Sequence, residues 1–336
     1  MKFSVLQFFA WTRRSVPLKT IYDRAMDRIG VMERTGYDSV WLAEHHFTDY
    51  SVCPSVHMMG MHIAGKTERL RIGTAVSLAA LYHPLRLAEE VAMLDILSDG
   101  RVNWGAGRGF DPSEFATFGV PIEASKSRFH EAVAIVLEAW KSERLNWSSD
   151  NWQFSDVEVL PKPAQSPTPP VWMAAGSDGA ASWAGENGHT VMLGPHATFD
   201  GINRQRELFY ESLGAHGFST GERDIPMCRF IAVADSDAEA ETIARAGAGW
   251  VIDTYKNESK GVASPMRTRQ VGSQVQVVDP VDAYLEDIAV WGSPTRVVDQ
   301  LQTLQETMGL KHLMCAPLSH SSFTTFTEKV LPHLID

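Results

Sequence analysis

The amino-acid sequence predicts an α/β protein of the (β/α)8 TIM-barrel class. Short apolar runs alternate with longer amphipathic segments eight times along the 336 residues, which is typical of a closed parallel barrel. The composition, with 44% hydrophobic and 21% charged residues, is that of an ordinary globular protein. A doubly wound open sheet is the competing architecture, because it would show the same alternation.

The eight predicted strands are short, and a helical pattern follows each of them. The strands are Phe3–Phe9, Ser39–Ala43, Leu70–Leu78, Val102–Ala106, Pro170–Ala175, His189–Leu193, Met227–Val233 and His312–Ala316. The helices after them are predicted near residues 18–35, 55–66, 84–97, 126–143, 177–187, 200–216, 237–248 and 323–334, and a further helix covers 294–308. This order places one helix between successive parallel strands, as a barrel requires.

Two segments interrupt the alternation. Residues 152–160 show the period of a small hairpin before several prolines. Residues 250–291 are rich in Gly, Ser, Lys and Arg around their middle and indicate a long mobile insertion before the last helix–strand unit. We therefore expect a single domain over residues 1–336, with a mobile lid at about 250–291.

The charge balance and the cysteines exclude several classes of protein. There are 41 acidic against 30 basic residues, so the net charge of −11 argues against binding to nucleic acid or an anionic membrane. The N-terminal residues lack a signal-peptide pattern, and no apolar run is long enough for a membrane span. Cys53, Cys228 and Cys315 form neither a disulfide framework nor a zinc motif. These features predict a cytoplasmic protein.

Two glycine-containing loops follow predicted strands, where barrels carry their chemistry. In Gly105–Gly109 the glycines allow close approach of a backbone to an anion, and Arg108 can bind phosphate through two N–H groups. A dinucleotide fingerprint is excluded because Phe110-Asp111-Pro112 interrupts the required helix. Gly176 and Ser177 open a helix and form a second candidate phosphate site. The alternatives are a glycine turn with a solvated arginine and an ordinary helix N-cap.

The second predicted strand ends in Glu44-His45-His46-Phe47. Adjacent side chains of a strand point to opposite faces, so only one histidine can face the barrel mouth and the two cannot share a metal. No metal site is predicted, since no HExxH motif occurs. A histidine at the mouth suits proton transfer; the alternative role, for one of the pair, is a histidine locked by Glu44 or by the backbone. Glu89, Glu90 and Asp95 are interpreted as surface or capping charges of the third helix.

Several stretches together resemble the bacterial-luciferase-like flavin monooxygenases. They are Tyr37–Thr48, Ile72–Val76, His83–Glu90, Leu94–Asp95, Leu97–Arg101 and Gly105–Gly109, whereas the chain after residue 195 matches only loosely. Two positions depart from the luminous enzymes of this family. Gly107 takes the place of a reactive cysteine, and Gly176 takes that of an acidic residue. Both changes argue against light emission by this chain.

The resemblance implies a function and a cofactor. A separate NAD(P)H:flavin reductase would supply reduced FMN, and O2 would oxygenate a small, apolar organic substrate through a flavin hydroperoxide. His45 would lie beside the reactive face of the flavin. Arg108 and Ser177 would bind the phosphate, and Gly107 and Gly176 would line the same cofactor site. Ala75 and Val76 match a non-prolyl cis peptide beneath the flavin ring, and the lid would exclude water. The substrate pocket would contain Phe8, Trp11 and Tyr50.

Two other functions are compatible with the same barrel. One is a deazaflavin-dependent oxidoreductase that moves hydride without oxygen, and the other is a non-catalytic flavin-binding protein. His45 and a long lid argue against the second, because flavin storage needs neither.

A homodimer is expected from apolar positions on the second and third helices, namely Val56, Met59, Ile63, Leu87, Val91 and Leu94.

Overall fold

A computed structural model describes residues 1–255, 268–271 and 274–335 of the chain. The chain forms two compact units, one of residues 7–174 and one of residues 1–6 with 175–336.

The strands are β1 (Lys2–Gln7), β2 (Ser39–Leu42), β3 (Arg71–Thr74), β4 (Ser77–Leu78), β5 (Val102–Gly107), β6 (Leu145–Ser148), β7 (Gln153–Val157), β8 (Val171–Ala175), β9 (Thr190–Leu193), β10 (Met227–Val233), β11 (Thr268–Val271), β12 (Gln274–Val277), β13 (Val290–Gly292) and β14 (His312–Pro317). The helices are α1 (Leu18–Arg34), α2 (Val56–Ala64), α3 (Pro84–Leu97), α4 (Pro112–Thr117), α5 (Ser125–Lys141), α6 (Asp178–Glu186), α7 (Phe199–Ala215), α8 (Asp237–Tyr255), α9 (Pro280–Asp287), α10 (Pro294–Met308) and α11 (His320–Lys329). All eight predicted strands are found, each followed by a helix, and they pair in parallel. The predicted class, a (β/α)8 TIM barrel, is confirmed.

In the unit of residues 7–174, β2, β3, β5 and β8 are neighbours in this order, and the short β4 pairs with β5. The register sets Leu42 beside Thr74 and Ile72 beside Val102. Every residue of β2 and β5 is buried, because helices cover one face and barrel side chains the other. Parallel pairing brings the carboxyl ends of these strands to one edge, so the loops after them are neighbours.

In the unit of residues 1–6 and 175–336, β14 pairs with β1 and with β10. Strand β10 also pairs with β13 and with β9. All seven residues of β10 are buried. The first strand of the sequence is therefore held by the last one, at a register that sets Val5 beside Cys315.

A chain of hydrogen bonds joins the amino-terminal ends of β1 and β14. Ser4 Oγ lies 2.8 Å from His312 Nε2, and His312 Nδ1 lies 2.7 Å from Asp224 Oδ1. Lys2 Nζ donates to the other oxygen of Asp224 at 2.8 Å. Burial alone would raise the pKa of Asp224, but its bonds and charge interactions with His312 and Lys2 outweigh burial and lower the pKa to about 2. The amino-terminal end of a barrel is the usual place for such stabilising groups.

The hairpin predicted at residues 152–160 is wrong in its position. The antiparallel pair is formed by β6 and β7, with Trp147 opposite Phe154. The chain reverses between these strands, where the Ser149 N–H donates to the Trp152 carbonyl at 2.9 Å. The polar residues 149–151 form this turn, and the prolines after β7 prevent a second strand from pairing there.

The segment 250–291 contains more regular structure than the sequence predicts. Helix α8 continues to Tyr255, β11 and β12 form an antiparallel hairpin, and β13 joins β10. Residues 256–267 and 272–273, which belong to the predicted lid, lie outside the described residues, so the lid stays a prediction. Within the described part of the chain, no helix combines the length and the apolar character needed to cross a membrane.

The apolar positions on α2 and α3 that suggested a dimer face the chain's own core. Val56, Ile63, Leu87, Val91 and Leu94 are at most 1% exposed, and Met59 is half-buried. These helices present a different set of apolar side chains to solvent, namely Met58, Met93, Ile96 and Leu97. The helical period identified two apolar faces correctly but could not tell which neighbour covers them.

The interpretation of Asp95 as a surface charge is wrong. Asp95 is fully buried, and its carboxylate accepts hydrogen bonds from the backbone N–H of Gln165 at 2.9 Å and from the Gln165 Nε2 at 2.7 Å. It therefore ties α3 to the loop before β8. A buried carboxylate is tolerated because both of its oxygens accept hydrogen bonds.

Candidate active site

Three strand ends carry predicted site residues, and parallel pairing places them side by side in the unit of residues 7–174. His45 follows β2, Ala75 and Val76 follow β3, and Gly107 ends β5. The Ala75 N–H donates to the Leu42 carbonyl at 2.8 Å, which continues the β2–β3 pairing into this region. The peptide bond between Ala75 and Val76 is cis, as the resemblance implies.

The His45 imidazole lies against a buried carboxylate. Its Nδ1 is 3.5 Å from Glu114 Oε1, and the two side chains are 11% and 1% exposed. The His45 backbone N–H donates to the Cys53 carbonyl at 3.3 Å, which fixes the main chain. Among the residues that the structure describes, none hydrogen-bonds to His45 Nε2. One ring nitrogen is thus supported by the protein, and the other is available to a bound molecule.

The neighbouring His46 is held in a different way. Its Nε2 is 3.1 Å from Glu44 Oε1, and its backbone N–H donates to Glu114 Oε1 at 2.8 Å. The Tyr82 hydroxyl donates to the same Glu44 oxygen at 2.9 Å. The expectation that Glu44 locks one histidine of the pair therefore describes His46.

Glu114 is a site residue that the sequence analysis did not identify. It lies in α4, whose start is capped by Asp111 through an acceptor bond from the Ser113 N–H at 2.9 Å. Asp111-Pro112 with an acidic residue three positions after the cap is a helix-start signal. That signal could have placed a helix, and so this carboxylate, directly after the Arg108 loop. Its Oε1 faces both the His45 ring and the His46 backbone N–H, so one carboxylate orients both histidines.

Gly107 is required by its neighbour Val76. A Cβ atom built on Gly107 would lie 2.4 Å from Val76 Cγ2, far inside normal contact distance. The reactive cysteine of the luminous enzymes therefore has no room at this position unless Val76 moves. The absence of a side chain here is a packing requirement of this chain.

Arg108 and Ser177 carry donor or acceptor groups suited to phosphate, and each belongs to a different compact unit. Arg108 is exposed, and its Nη1 donates to Ser125 Oγ at 3.1 Å. Its remaining N–H groups form no hydrogen bond with described residues, which fits a group that binds an anion. Ser177 is the N-cap of α6 and accepts from the Ala180 N–H at 3.3 Å. Gly176 is exposed, and a Cβ there would meet no atom within 4 Å. A shared phosphate stays a prediction.

Of the three predicted pocket residues, Tyr50 lies next to His45 and Phe8 lies next to Tyr50. The Tyr50 ring is 4.9 Å from the His45 ring and 5.1 Å from the Phe8 ring, both edge-on. Trp11 makes other contacts, since its Nε1 donates to the Val16 carbonyl at 2.7 Å and Arg14 lies over its ring. The structure therefore brings Phe8 and Tyr50 together with His45, and it shows no ring contact of Trp11 with them in the described residues.

No group of three or more His, Cys, Asp or Glu side chains in the described ranges is arranged to hold a metal ion. The three cysteines are free and buried. Burial raises the pKa of the Cys53 thiol to about 12, assisted by the nearby Glu44 carboxylate. A thiol with this pKa is protonated at neutral pH and therefore a poor nucleophile.

The chain resembles known proteins in sequence and in fold. A sequence profile described as luciferase-like monooxygenase matches residues 1–311. An uncharacterized protein of Sinorhizobium fredii is 30% identical over 66% of this chain, and the match spans 63% of that protein. The oxygenase component of flavin-dependent trigonelline monooxygenase from Acinetobacter baylyi is 27% identical over 92% of this chain and 87% of its own.

Solved structures share the fold over nearly the whole length. Monooxygenase RslO1 from Streptomyces bottropensis superposes with a TM-score of 0.85 at 26% identity, covering 99% of both chains. An F420-dependent secondary alcohol dehydrogenase superposes with a TM-score of 0.78 at 18% identity, covering 100% of this chain and 99% of the other. At that lower identity the likeness concerns the fold alone.

Proposed function

The chain belongs to the luciferase-like monooxygenase family, and from this premise we propose that it is the oxygenase component of a two-component, FMN-dependent monooxygenase. In the overall reaction one oxygen atom of O2 enters a small apolar organic substrate and the other leaves as water, while reduced FMN supplies two electrons and is oxidised. The observation that carries the proposal is the His45 imidazole, supported by Glu114 on one nitrogen and unengaged on the other. A protein that only stores flavin has no need of this arrangement.

The residues at the strand ends fit an FMN molecule. The exposed guanidinium of Arg108 suits the phosphate, with Ser177 as a second contact. The backbone of Ala75 and Val76, with the Val76 side chain packed over Gly107, is proposed to support the planar ring. Reduced flavin, when bound, supplies the electrons that activate O2.

The protein's own residues then supply orientation and a proton site. His45 holds or moves a proton at Nε2, and the Glu114 carboxylate beside Nδ1 orients the ring. Tyr50 and Phe8 form an apolar wall beside His45 that favours an uncharged substrate and excludes water. The segment 250–291 is proposed to act as the lid over this site.

The partner of this reaction is a separate NAD(P)H:flavin reductase, because the sequence contains no nicotinamide-binding fingerprint. The oxygenase component from Acinetobacter baylyi supports this proposal, since its name describes one part of a multi-component enzyme.

We further propose a homodimer through the exposed apolar side chains of α2 and α3, namely Met58, Met93, Ile96 and Leu97.

The function is tested by supplying chemically reduced FMN and labelled O2 to a panel of apolar substrates and detecting oxygenated product by mass spectrometry. We expect His45→Ala to lower kcat by about 10²- to 10⁴-fold, because a positioned proton-transfer group contributes about that much. His62→Ala, which removes an exposed histidine of α2, is the matched control and should leave kcat unchanged. An undiminished rate in His45→Ala would contradict the assigned role. Anaerobic turnover with reduced deazaflavin, without oxygen dependence, would identify the deazaflavin oxidoreductase instead.

A further inference from the structure

Ser77 directly follows the Ala75–Val76 segment proposed to support the flavin ring, and it begins a chain of three hydrogen-bonded side chains. Its Oγ lies 2.9 Å from His57 Nε2, and His57 Nδ1 lies 3.0 Å from Glu90 Oε2. Arg86 Nε donates to the other Glu90 oxygen at 2.7 Å. The three linked residues come from β4, α2 and α3, so the chain connects the segment after Val76 to two helices.

The order of groups is that of a Ser–His–acid triad, but the burial excludes a nucleophile. The side chain of Ser77 is not exposed at all, and that of His57 is 5% exposed. An acyl substrate would need to reach the Ser77 oxygen, which instead contacts α2 through His57. The chain of bonds therefore acts on the position of Ser77 rather than on a substrate.

The charge of Glu90 fixes the direction of these bonds. The hydrogen bond from His57 lowers the pKa of Glu90 to about 2, opposed by partial burial and assisted by Arg86. An ionised carboxylate can only accept, so His57 Nδ1 carries the proton that it donates to Glu90. In the neutral ring, Nε2 then accepts from the Ser77 hydroxyl. For a neutral ring, the two ring nitrogens and the Ser77 hydroxyl therefore have fixed donor and acceptor roles.

Besides this chain, a short strand and two backbone hydrogen bonds hold the segment, from the Ala75 N–H to the Leu42 carbonyl at 2.8 Å and from the Ala79 N–H to the Gly107 carbonyl at 3.0 Å. Strand β4 is only two residues long and pairs with β5 through Ser77 beside Ala106 and Leu78 beside Gly107. Val76, the residue before Ser77, is the one that packs against Gly107. A small displacement of Ser77 would therefore move the backbone on which the flavin ring is proposed to stack.

We propose that His57 and Glu90 are positioning residues for the cofactor: they hold the Ser77 hydroxyl and, through it, the Ala75–Ser77 backbone in the geometry that binds the flavin ring. This inference rests on the proposed function. The Ser4–His312–Asp224 chain has the same composition but lies in the other compact unit and touches none of the predicted site residues. It provides a matched control, since each chain loses one buried Ser–His bond when its serine becomes alanine.

The experiment compares Ser77→Ala with Ser4→Ala in the full chain by anaerobic fluorescence titration with reduced FMN and by urea unfolding. We expect both variants to shift the unfolding midpoint by similar amounts. The Kd for reduced FMN should rise about five- to tenfold in Ser77→Ala, as for one lost hydrogen bond, and less than twofold in Ser4→Ala. Equal FMN affinities in the two variants, together with FMN binding by the wild type, would overturn this inference but not the proposed function. No binding of FMN by the wild type would refute the proposed function itself.

A second measurement does not depend on flavin. Imidazole ¹⁵N spectra of the flavin-free protein should show a proton on His57 Nδ1, and Glu90→Gln should change this signal. A ring without a proton on Nδ1 would contradict the proposed direction of the bond to Glu90. Should Ser77→Ala fail to fold, His57→Leu, which removes both ring nitrogens and so both hydrogen bonds, is titrated instead, and a Kd raised by at least the same factor is expected. An unchanged Kd in His57→Leu would overturn the positioning role.

Discussion

Replacement of Asp224 by Asn should make the stability of the protein less dependent on acid pH. Its folded pKa of about 2 lies below the model-compound value of 3.8, so the ionised form is stabilised by folding. A shift of about 1.8 units corresponds to about 2.4 kcal/mol. The Asp224 side chain is 33% exposed, so solvent screening reduces this to about 1 kcal/mol. We expect Asp224→Asn to lower the free energy of unfolding by about that amount at pH 7.

The pH dependence has a definite sign. Because the folded pKa is depressed, the stabilisation is fully present above pH 3.8 and is lost as the pH falls from 3.8 towards 2. Urea unfolding followed by circular dichroism between pH 7 and pH 3 would measure the difference between wild type and variant. Asp235→Asn, which removes a highly exposed partner of Lys329, should leave the free energy of unfolding unchanged, because solvent screens an exposed ion pair. A difference for Asp224→Asn that stays constant from pH 7 to pH 3, or is absent at pH 7, would refute the reasoning.

Two further predictions concern the site and the assembly. Gly107→Ala should lower the free energy of unfolding by about 1–3 kcal/mol, because its Cβ would meet Val76 Cγ2 at 2.4 Å, whereas Gly176→Ala should be neutral. Val76→Ala in the same chain should recover part of this loss in urea unfolding, and additive losses would contradict the steric explanation. Leu97→Lys, at a side chain 60% exposed, should shift the protein from dimer to monomer in sedimentation experiments without lowering its unfolding midpoint. A wild type that sediments as a monomer would end the dimer proposal.

The barrel strands could be predicted because each is a short, mostly apolar run. Val102–Gly107 is buried along its whole length, and such a run leaves few alternatives in a chain that repeats it eight times. The hairpin of β6 and β7 was misplaced because two alternating segments flank Trp152, and periodicity alone does not choose between them. Helix periodicity likewise showed the apolar faces of α2 and α3 but not which of them the core covers.

The site was only partly accessible from sequence. His45 could be identified because it ends a strand, and strand ends meet at one edge of a parallel sheet. The partner of His45 could not, because Glu114 is 69 positions away and its carboxylate reaches the histidine pair only once α4 is placed. His57 and Glu90 belong to helices that face each other in three dimensions, and a helical pattern does not report such a contact. The sequence showed which residues lie on strand ends, and the fold shows which of them meet.

The pairing of β1 with β14 has a consequence for synthesis on the ribosome. Lys2 and Phe3 are translated about 300 residues before their partners His312 and Leu313. At a synthesis rate of about 5–20 residues per second, roughly 15–60 seconds pass before β14 can pair with β1. Strand β1 is almost entirely buried in the native fold, so the nascent chain exposes this aggregation-prone segment until β14 has been synthesised. Chaperone binding to this segment is therefore expected to influence the yield of folded protein more than its final stability.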